Sequence, residues 1–250
     1  MGSLKDKARS YSKTLAEINP LIDEASRLNK AAKIKAVLDQ EWLLLPSGIC
    51  MLEIGCSYGL ILKKLAEDFG FCVGIEIDQH ALAQAAKGVS YVRADGEMLP
   101  LKTNCVDIVI CNHVYEHTDS PEQLLAEIER VLKPGGICYF AGPNKYALVE
   151  PHYRLPFLSW LPPHLADIYV RLFGKGQAYP ERPYSYRGAK RLAWRFRVSD
   201  YTGKILDDPA RYHATDMIAP KSIKRLFAII VFRVLTVIFP TFVFILRKGV

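Results

Sequence analysis

The stretch Met51–Gly59, MLEIGCSYG, decides how the rest of the chain reads. It closes an apolar run, Ile49–Ile54, that suits a buried strand, and it turns through Gly55 and Gly59 into LILKKLAEDFG, whose pattern is helical. A strand, a glycine turn and a helix start gather backbone N–H groups at one point. Gly55 lets a ligand lie close to the main chain. Glu53 adds a carboxylate just beneath the turn. A diphosphate would be repelled there and a cationic ligand attracted.

Working outward, the same alternation continues on both sides. Upstream, Asn19-Pro20 breaks the chain. Leu21, Ala25, Leu28, Ala32, Ile34, Val37 and Leu38 then recur at helical spacing, so helices are predicted within 10–45. Pro46-Ser47-Gly48 is a turn into the core, 46–146. Downstream, a helix Leu60–Phe69 leads to a strand Phe71–Ile77. Asp78 is an N-cap for a helix Gln79–Lys87, and Ser90–Arg93 and Val106–Cys111 read as strands. Ser120-Pro121-Glu122-Gln123 combines a capping box with proline at the first helical position, predicting a helix over 121–132. Lys133-Pro134-Gly135-Gly136 stops it, and Ile137–Ala141 is the next strand. Strands alternating with helices imply a parallel sheet covered on both faces. In such sheets ligands sit at the carboxyl ends of the strands.

Those ends are Glu53–Gly59, Glu76–Asp78, Asp95–Gly96, Asn112–His117 and Pro143–Tyr146. Glu76 closes the second strand, where a carboxylate can accept both hydroxyls of a ribose. A charge favourable to the following helix is the other reading, and Asp78 fits that role better. Asp95 either accepts an exocyclic amine or is a solvated loop residue.

The ordered series LEIGCSYG, GIEID, ADGEMLPL, VDIVICNHVYEH and EIERVLKPGG resembles class I S-adenosylmethionine-dependent methyltransferases, closest to the ubiquinone and menaquinone biosynthesis group. The resemblance covers about residues 30–145 and returns at the C-terminus. It implies an α/β fold: a doubly wound, seven-stranded, mostly parallel Rossmann-like sheet with an antiparallel last strand. It also implies S-adenosyl-L-methionine as cofactor. Glu53, Gly55 and Gly59 would hold its methionine moiety, Glu76 its ribose hydroxyls and Asp95, with the Gly96 backbone beside it, its adenine; Cys56, Ser57, Ile77 and Asn112 would complete the cofactor site. Ser57 departs from the family, which usually has a glycine there. NAD(P) is disfavoured because the turn is not G-x-G-x-x-G.

The second half departs further. The pattern resumes near Tyr186, with a helix Ala189–Arg195 and a sixth strand Phe196–Thr202 in a core segment 186–202. Residues 147–185 are therefore an insertion rich in aromatics and prolines, read as a helical lid or pocket wall; the alternative is an added packing layer. A second, apolar insertion spans 203–239. Lys221, Lys224 and Arg225 precede Leu226–Leu246, which carries one charge, Arg233. Pro240 splits this run, and TFVFILRK resembles the family's closing strand. We read Ser222–Phe239 as an apolar helix and Thr241–Arg247, within 240–248, as the seventh strand. The helix lies in a membrane interface, packs on the domain or in a homodimer, or spans a bilayer. So much apolar surface favours the interface through 221–239, or a dimer.

Methyl transfer needs alignment and, for many nucleophiles, a base. Catalytic candidates are His113, Glu116 and His117 after the fourth strand; the same stretch could instead pack on the cofactor or cap the next helix. Tyr115, Tyr146, His152 and Tyr153 are candidates for the substrate pocket. The six cysteines form no C-x-x-C pair, so no metal is expected, and a reducing, cytoplasmic setting is. The first residues are polar and charged, predicting no secretory leader. The formal charge of +7 fits an anionic partner, a membrane surface or nothing specific. Three functions remain: methylation of a hydrophobic small molecule or lipid-linked acceptor by a peripherally membrane-bound enzyme; RNA or protein methylation; or non-catalytic cofactor binding. The basic run Arg187, Lys190, Arg191, Arg195 and Arg197 suggests the second. No aromatic–basic stacking platform accompanies it, so nucleic acid is the weaker partner.

Overall fold

The computed structural model describes residues 24–41, 48–215, 229 and 238–250. The predicted apolar helix Ser222–Phe239 and the predicted helical residues before 24 lie outside this set, apart from Ile229, Ile238 and Phe239. In chain order the elements are α1 (Glu24–Glu41), β1 (Cys50–Ile54), α2 (Leu60–Leu65), β2 (Phe71–Glu76), α3 (Gln79–Ala83), β3 (Ser90–Arg93) and β4 (Val106–Asn112). A 3₁₀ turn Tyr115–His117 follows, then α4 (Pro121–Val131), β5 (Leu132–Pro143), a 3₁₀ turn Leu158–Trp160, α5 (Pro163–Leu172), α6 (Tyr186–Leu192), β6 (Arg197–Asp200), α7 (Thr202–Asp207) and β7 (Thr241–Arg247).

Seven strands form one sheet in the order β3-β2-β1-β4-β5-β7-β6. The pairs β3–β2, β2–β1, β1–β4 and β4–β5 are parallel, and β7 runs antiparallel to both β5 and β6. The chain starts at β1, winds outward to β3, then crosses to β4. That reversal opens a crevice between the carboxyl ends of β1 and β4.

Period-two alternation divides the core. On one face Leu52, Ile54, Val109, Cys111, Cys138 and Phe140 pack under α4 and α6, through Leu124, Leu125, Ile128, Ala189 and Leu192. On the other, Met51, Ile108, Ile110, Ile137 and Tyr139 pack under α1 and α2, through Ala31, Ile34, Val37, Leu38, Ile61, Leu62 and Leu65. Helix α4 starts as its sequence directs: the Ser120 hydroxyl accepts from Gln123 N, and Pro121 opens the helix. The last strand coincides with its predicted bounds, and β5 is longer than predicted, its extra residues continuing through the glycine turn.

Segment 147–185 forms a small layer of its own. Tyr153, Leu155, Leu158, Ala166 and Val170 are buried together, with Leu161, Tyr169 and Tyr179 against them. Leu165, Ile168 and Leu172 lie on the outward side of α5 and are exposed. Among the described residues no helix is long and apolar enough to cross a membrane.

Candidate active site

β1 delivers Glu53 to the crevice, on the face that α1 and α2 cover. The side chain is buried, accepts a backbone hydrogen bond from Leu62, and leaves Oε2 with no partner. Burial pushes this carboxyl up to about 8, although Arg27 on α1 opposes the shift. The turn that follows is left-handed at Gly55 (φ 69°) and Gly59 (φ 68°). A Cβ on Gly55 would stand 2.6 Å from a methyl of Val114, and one on Gly59 2.0 Å from the Tyr91 hydroxyl. Ser57 is left-handed too (φ 50°), and its hydroxyl oxygen is buried without a partner. The serine therefore holds the conformation a glycine adopts freely, which costs about 1 kcal/mol. Cys56 is buried and forms no disulfide.

β2 delivers Glu76. Its Oε1 accepts from the N–H groups of Ile77 (2.7 Å) and Asp78 (2.9 Å), and Oε2 accepts from Ser57 N (2.8 Å). Burial raises its pKa and these three bonds oppose the rise. A carboxylate offers about four acceptor positions, so capacity remains for a ligand. Asp78 caps α3 by accepting from His80 N, the structural role expected of it. Beyond β3, Asp95 Oδ1 accepts from Glu97 N. The Asp95–Gly96 loop is pinned from outside: Glu127 accepts from Leu99 N, Arg130 donates to the carbonyls of Leu99 and Leu101, and Glu97 accepts from Ser120 N. Gly96 fits closely against Ile54, where a Cβ would come within 2.8 Å.

β4 ends at Asn112, and the next residue, His113, is left-handed (φ 58°) with its N–H bonded to Ala141 O. The following 3₁₀ turn buries Glu116 completely, and neither of its carboxylate oxygens has a hydrogen-bond partner. Three imidazoles surround Oε1: His113 Nδ1 at 3.4 Å, His117 Nε2 at 3.9 Å and His152 Nε2 at 3.9 Å. Burial alone would raise Glu116, but the three histidines hold it below the usual carboxylate range. Burial lowers His113 and His117, so both are neutral near pH 7 and able to accept a proton. Burial would lower His152 as well. A 2.9 Å bond to Glu150 outweighs it, and the net shift is upward.

The structure thus gathers His113, Glu116, His117 and His152 at one point, the last reaching in from the 147–185 segment. It keeps two expected pocket residues elsewhere. Tyr115 is wholly buried: its ring packs on Phe140 and Phe242, and its hydroxyl donates to Pro143 O and accepts from Tyr184 N. Successive side chains of a 3₁₀ turn fan out about 120° apart, and at this position the side chain points into the core. Tyr153 belongs to the small cluster of the inserted segment, with its ring against Tyr179. Tyr146 is half-buried and packs edge-on against Trp160.

Several residues of the site escaped the sequence reading. Arg27 and Lys30 on α1 act on Glu53 and Glu116 respectively, and burial brings Lys30 down to about 8. Glu150 and Glu181 are buried acids in the inserted segment; burial pushes Glu181 up to about 7 and leaves its carboxylate without a partner. The juxtaposition Glu150-Pro-His152 was a readable signal for an acid–imidazole pair. Nothing local distinguishes Lys30 from the other lysines of α1.

Residues 52–140 match the family described as a methyltransferase domain. The span runs from the Glu53 turn through the 3₁₀ turn to β5, and so takes in most of the residues above. An uncharacterized methyltransferase of Mycobacterium leprae is 34% identical over 116 residues, 43% of this chain and 43% of that protein. One of Mycobacteroides abscessus is 35% identical over 98 residues, 36% of this chain and 38% of that protein. The match spans less than half the length of these relatives. Among solved structures, a plantazolicin methyltransferase in complex with a monoazolic desmethylPZN analog and SAH aligns over 99% of this chain and 96% of its own, with a TM-score of 0.63 and 13% identity. Phosphoethanolamine N-methyltransferase 2 of Haemonchus contortus, with phosphomonomethylethanolamine and S-adenosylhomocysteine, aligns over 86% of this chain and 52% of its own, with a TM-score of 0.54 and 18% identity. At these identities the likeness is one of fold: a seven-stranded, Rossmann-like methyltransferase sheet. Residues 52–140 are thus similar in sequence to a methyltransferase domain, and the likeness does not single out the ubiquinone and menaquinone group.

Proposed function

We propose that the chain is an S-adenosylmethionine-dependent methyltransferase acting on a hydrophobic small molecule or lipid-linked acceptor at a membrane surface. The observation that carries the cofactor is Glu53. A buried carboxylate with a free oxygen under a glycine turn fits a ligand bearing positive charge and no phosphates, and the turn is held close by Val114 and Tyr91, which leave no room for a Cβ at Gly55 or Gly59. That ligand supplies an electrophilic methyl group on a sulfonium. Glu53 and the turn from Gly55 to Gly59 bind its methionine end, Glu76 its ribose hydroxyls, and Asp95 with Gly96 its adenine. Both S-adenosylhomocysteine complexes named above share this sheet architecture, which supports the assignment.

The acceptor lies on the β4 side. Holding nucleophile and methyl in line contributes about 7–11 kcal/mol to such a transfer. His117, neutral at pH 7, takes the acceptor's proton at Nε2, and Glu116 stabilises the resulting imidazolium. The inserted segment walls the acceptor from water.

Two features support a hydrophobic acceptor and a lipid surface. Leu165, Ile168 and Leu172 line an exposed face of α5, with exposed Arg171 and Lys175 beside it. The sequence of 221–239 adds basic residues ahead of an apolar run. The test is mass spectrometry of a lipid extract incubated with the protein and isotopically labelled cofactor. A labelled hydrophobic product is expected; label appearing only in RNA or protein would overturn the acceptor class. Flotation with anionic vesicles tests the surface: the wild type rises with the vesicles, salt weakens this, and Phe227→Glu with Val234→Glu removes it. Wild type that ignores the vesicles would remove the membrane from the reading.

A further inference from the structure

We propose that His113, Glu116 and His152 form a binding site for one divalent transition-metal cation of the zinc and cobalt class, with Glu150 orienting His152 from behind. The role of such a cation rests on the methyl-transfer reading, where it would hold and acidify an acceptor hydroxyl; the site itself does not.

Three observations converge. One ligand atom from each of the three residues lies within 4.8 Å of the others. His113 Nδ1 is 3.4 Å and His152 Nε2 is 3.9 Å from Glu116 Oε1. Bonds of about 2.0–2.2 Å in a tetrahedral site set ligand atoms roughly 3.5 Å apart, so side-chain shifts below about 1 Å complete it. Secondly, Glu116 is fully buried, and its nearest partner, His113 Nδ1 at 3.4 Å, makes no well-aligned hydrogen bond with either oxygen. A carboxylate taken out of water is stabilised by a cation beside it; Lys30 acts on Glu116 from α1, and a bound metal ion would meet it directly. Thirdly, His152 is held from behind. Its Nδ1 pairs with Glu150 Oε1 at 2.9 Å, and Glu150 in turn accepts from Tyr153 N at 2.6 Å. This leaves Nε2 as the ligand nitrogen, the arrangement in which a second carboxylate fixes a metal-bound imidazole.

Two imidazoles and one carboxylate suit zinc, cobalt(II), manganese or iron(II) better than calcium or magnesium. The expectation of no metal came from the cysteines. This donor set uses none of them, and it draws one ligand from a segment far along the chain. His117 stands outside the trio, with its Nε2 3.9 Å from Glu116 Oε1. Oxygen ligands from an acceptor or from water would fill the remaining positions.

The test is a titration of the chelator-treated full chain with Co²⁺, without cofactor or acceptor, followed by visible d–d absorption, with Zn²⁺ as competitor. Wild type is expected to saturate at one equivalent and to show the intense bands of a four- or five-coordinate site. Glu116→Gln and His152→Gln should each weaken binding at least 100-fold, and Glu150→Gln about 10–100-fold. His80→Gln, at an exposed histidine on α3, should change nothing. Should the Glu116 variant fail to fold, the wild type carries the test alone, because Zn²⁺ should then raise its melting temperature to a plateau at one equivalent. Absence of saturable Co²⁺ absorption in wild type, or binding unchanged in Glu116→Gln and His152→Gln, overturns the site. Binding of S-adenosylhomocysteine, measured on the same sample, separates the two readings. Product bound without cation leaves methyl transfer standing and removes the metal; cation bound without product does the reverse.

Discussion

The two halves of the crevice are built by different means. On the β1–β3 side, single carboxylates meet backbone amides: Glu76 is fixed by three N–H groups, and Glu53 sits under a left-handed turn. On the β4 side, side chains meet side chains. Glu116 is enclosed by three imidazoles, one of them delivered by an insertion and oriented by a second acid. A backbone cradle recognises a fixed ligand and tolerates little change. A side-chain cluster is chemistry assembled from separate segments, and each member can be altered singly. The first half therefore fits a common cofactor and the second a particular acceptor.

The largest expected effect falls on the second half. His117→Ala should reduce turnover about 10²–10⁴-fold with cofactor affinity unchanged. Single-turnover rates beside calorimetric affinity would show the split. Normal turnover would mean that alignment alone drives the transfer, and the functional contrast between the halves would fall.

Next comes the first half. Glu76→Ala should lose about 1–3 kcal/mol of cofactor binding, a factor of roughly 5–150, because ribose hydroxyls and the Ser57, Ile77 and Asp78 amides would all lose an acceptor. Calorimetry showing unchanged affinity would remove Glu76 from the ribose role.

A third effect comes from the raised carboxyl of Glu53. Its value of about 8 leaves it mostly protonated at pH 7, whereas a cationic ligand binds its ionised form. Binding must then expel a proton, so affinity should rise with pH, by up to about tenfold per unit below 7.5 and flattening towards 8. Glu53→Gln should remove the slope. Calorimetry in buffers of different ionisation enthalpy would count the proton; none released would mean that Glu53 stays neutral in the complex.

What the sequence revealed follows the same division. Strand ends, the capped helix at Ser120, the positions of Glu53 and Glu76 at strand ends and the Asp78 cap are local properties: each depends on the residue's own strand, turn or helix start. The sheet order needs only alternation plus the reversal at β4. By contrast, Tyr115 sits two residues from His117 yet points into the core, because the 3₁₀ turn sets its direction. Glu150, Glu181 and Lys30 join the site only when the inserted segment and α1 close over it. Their chemistry is a fact of tertiary packing, and no periodicity encodes it.

The smallest effect tests whether the cradle is only a backbone device. Ser57 stands where the resembled family usually has a glycine. It keeps φ at 50° and buries its hydroxyl oxygen without a partner. Both features oppose folding: the left-handed side chain costs about 1 kcal/mol, and so does the unbonded hydroxyl. Glycine would relieve both but enlarge the entropy of the unfolded chain by about 0.5–1 kcal/mol. The net gain for Ser57→Gly is then about 1 kcal/mol, or roughly 2–4 °C in melting temperature for a chain of this size. Cofactor affinity should change less than about threefold, since the Ser57 N–H that meets Glu76 is retained. A higher melting temperature with affinity intact means that the main chain does the binding. A loss of tenfold or more means that the buried hydroxyl bonds the cofactor directly, and the first half would then share the side-chain character of the second.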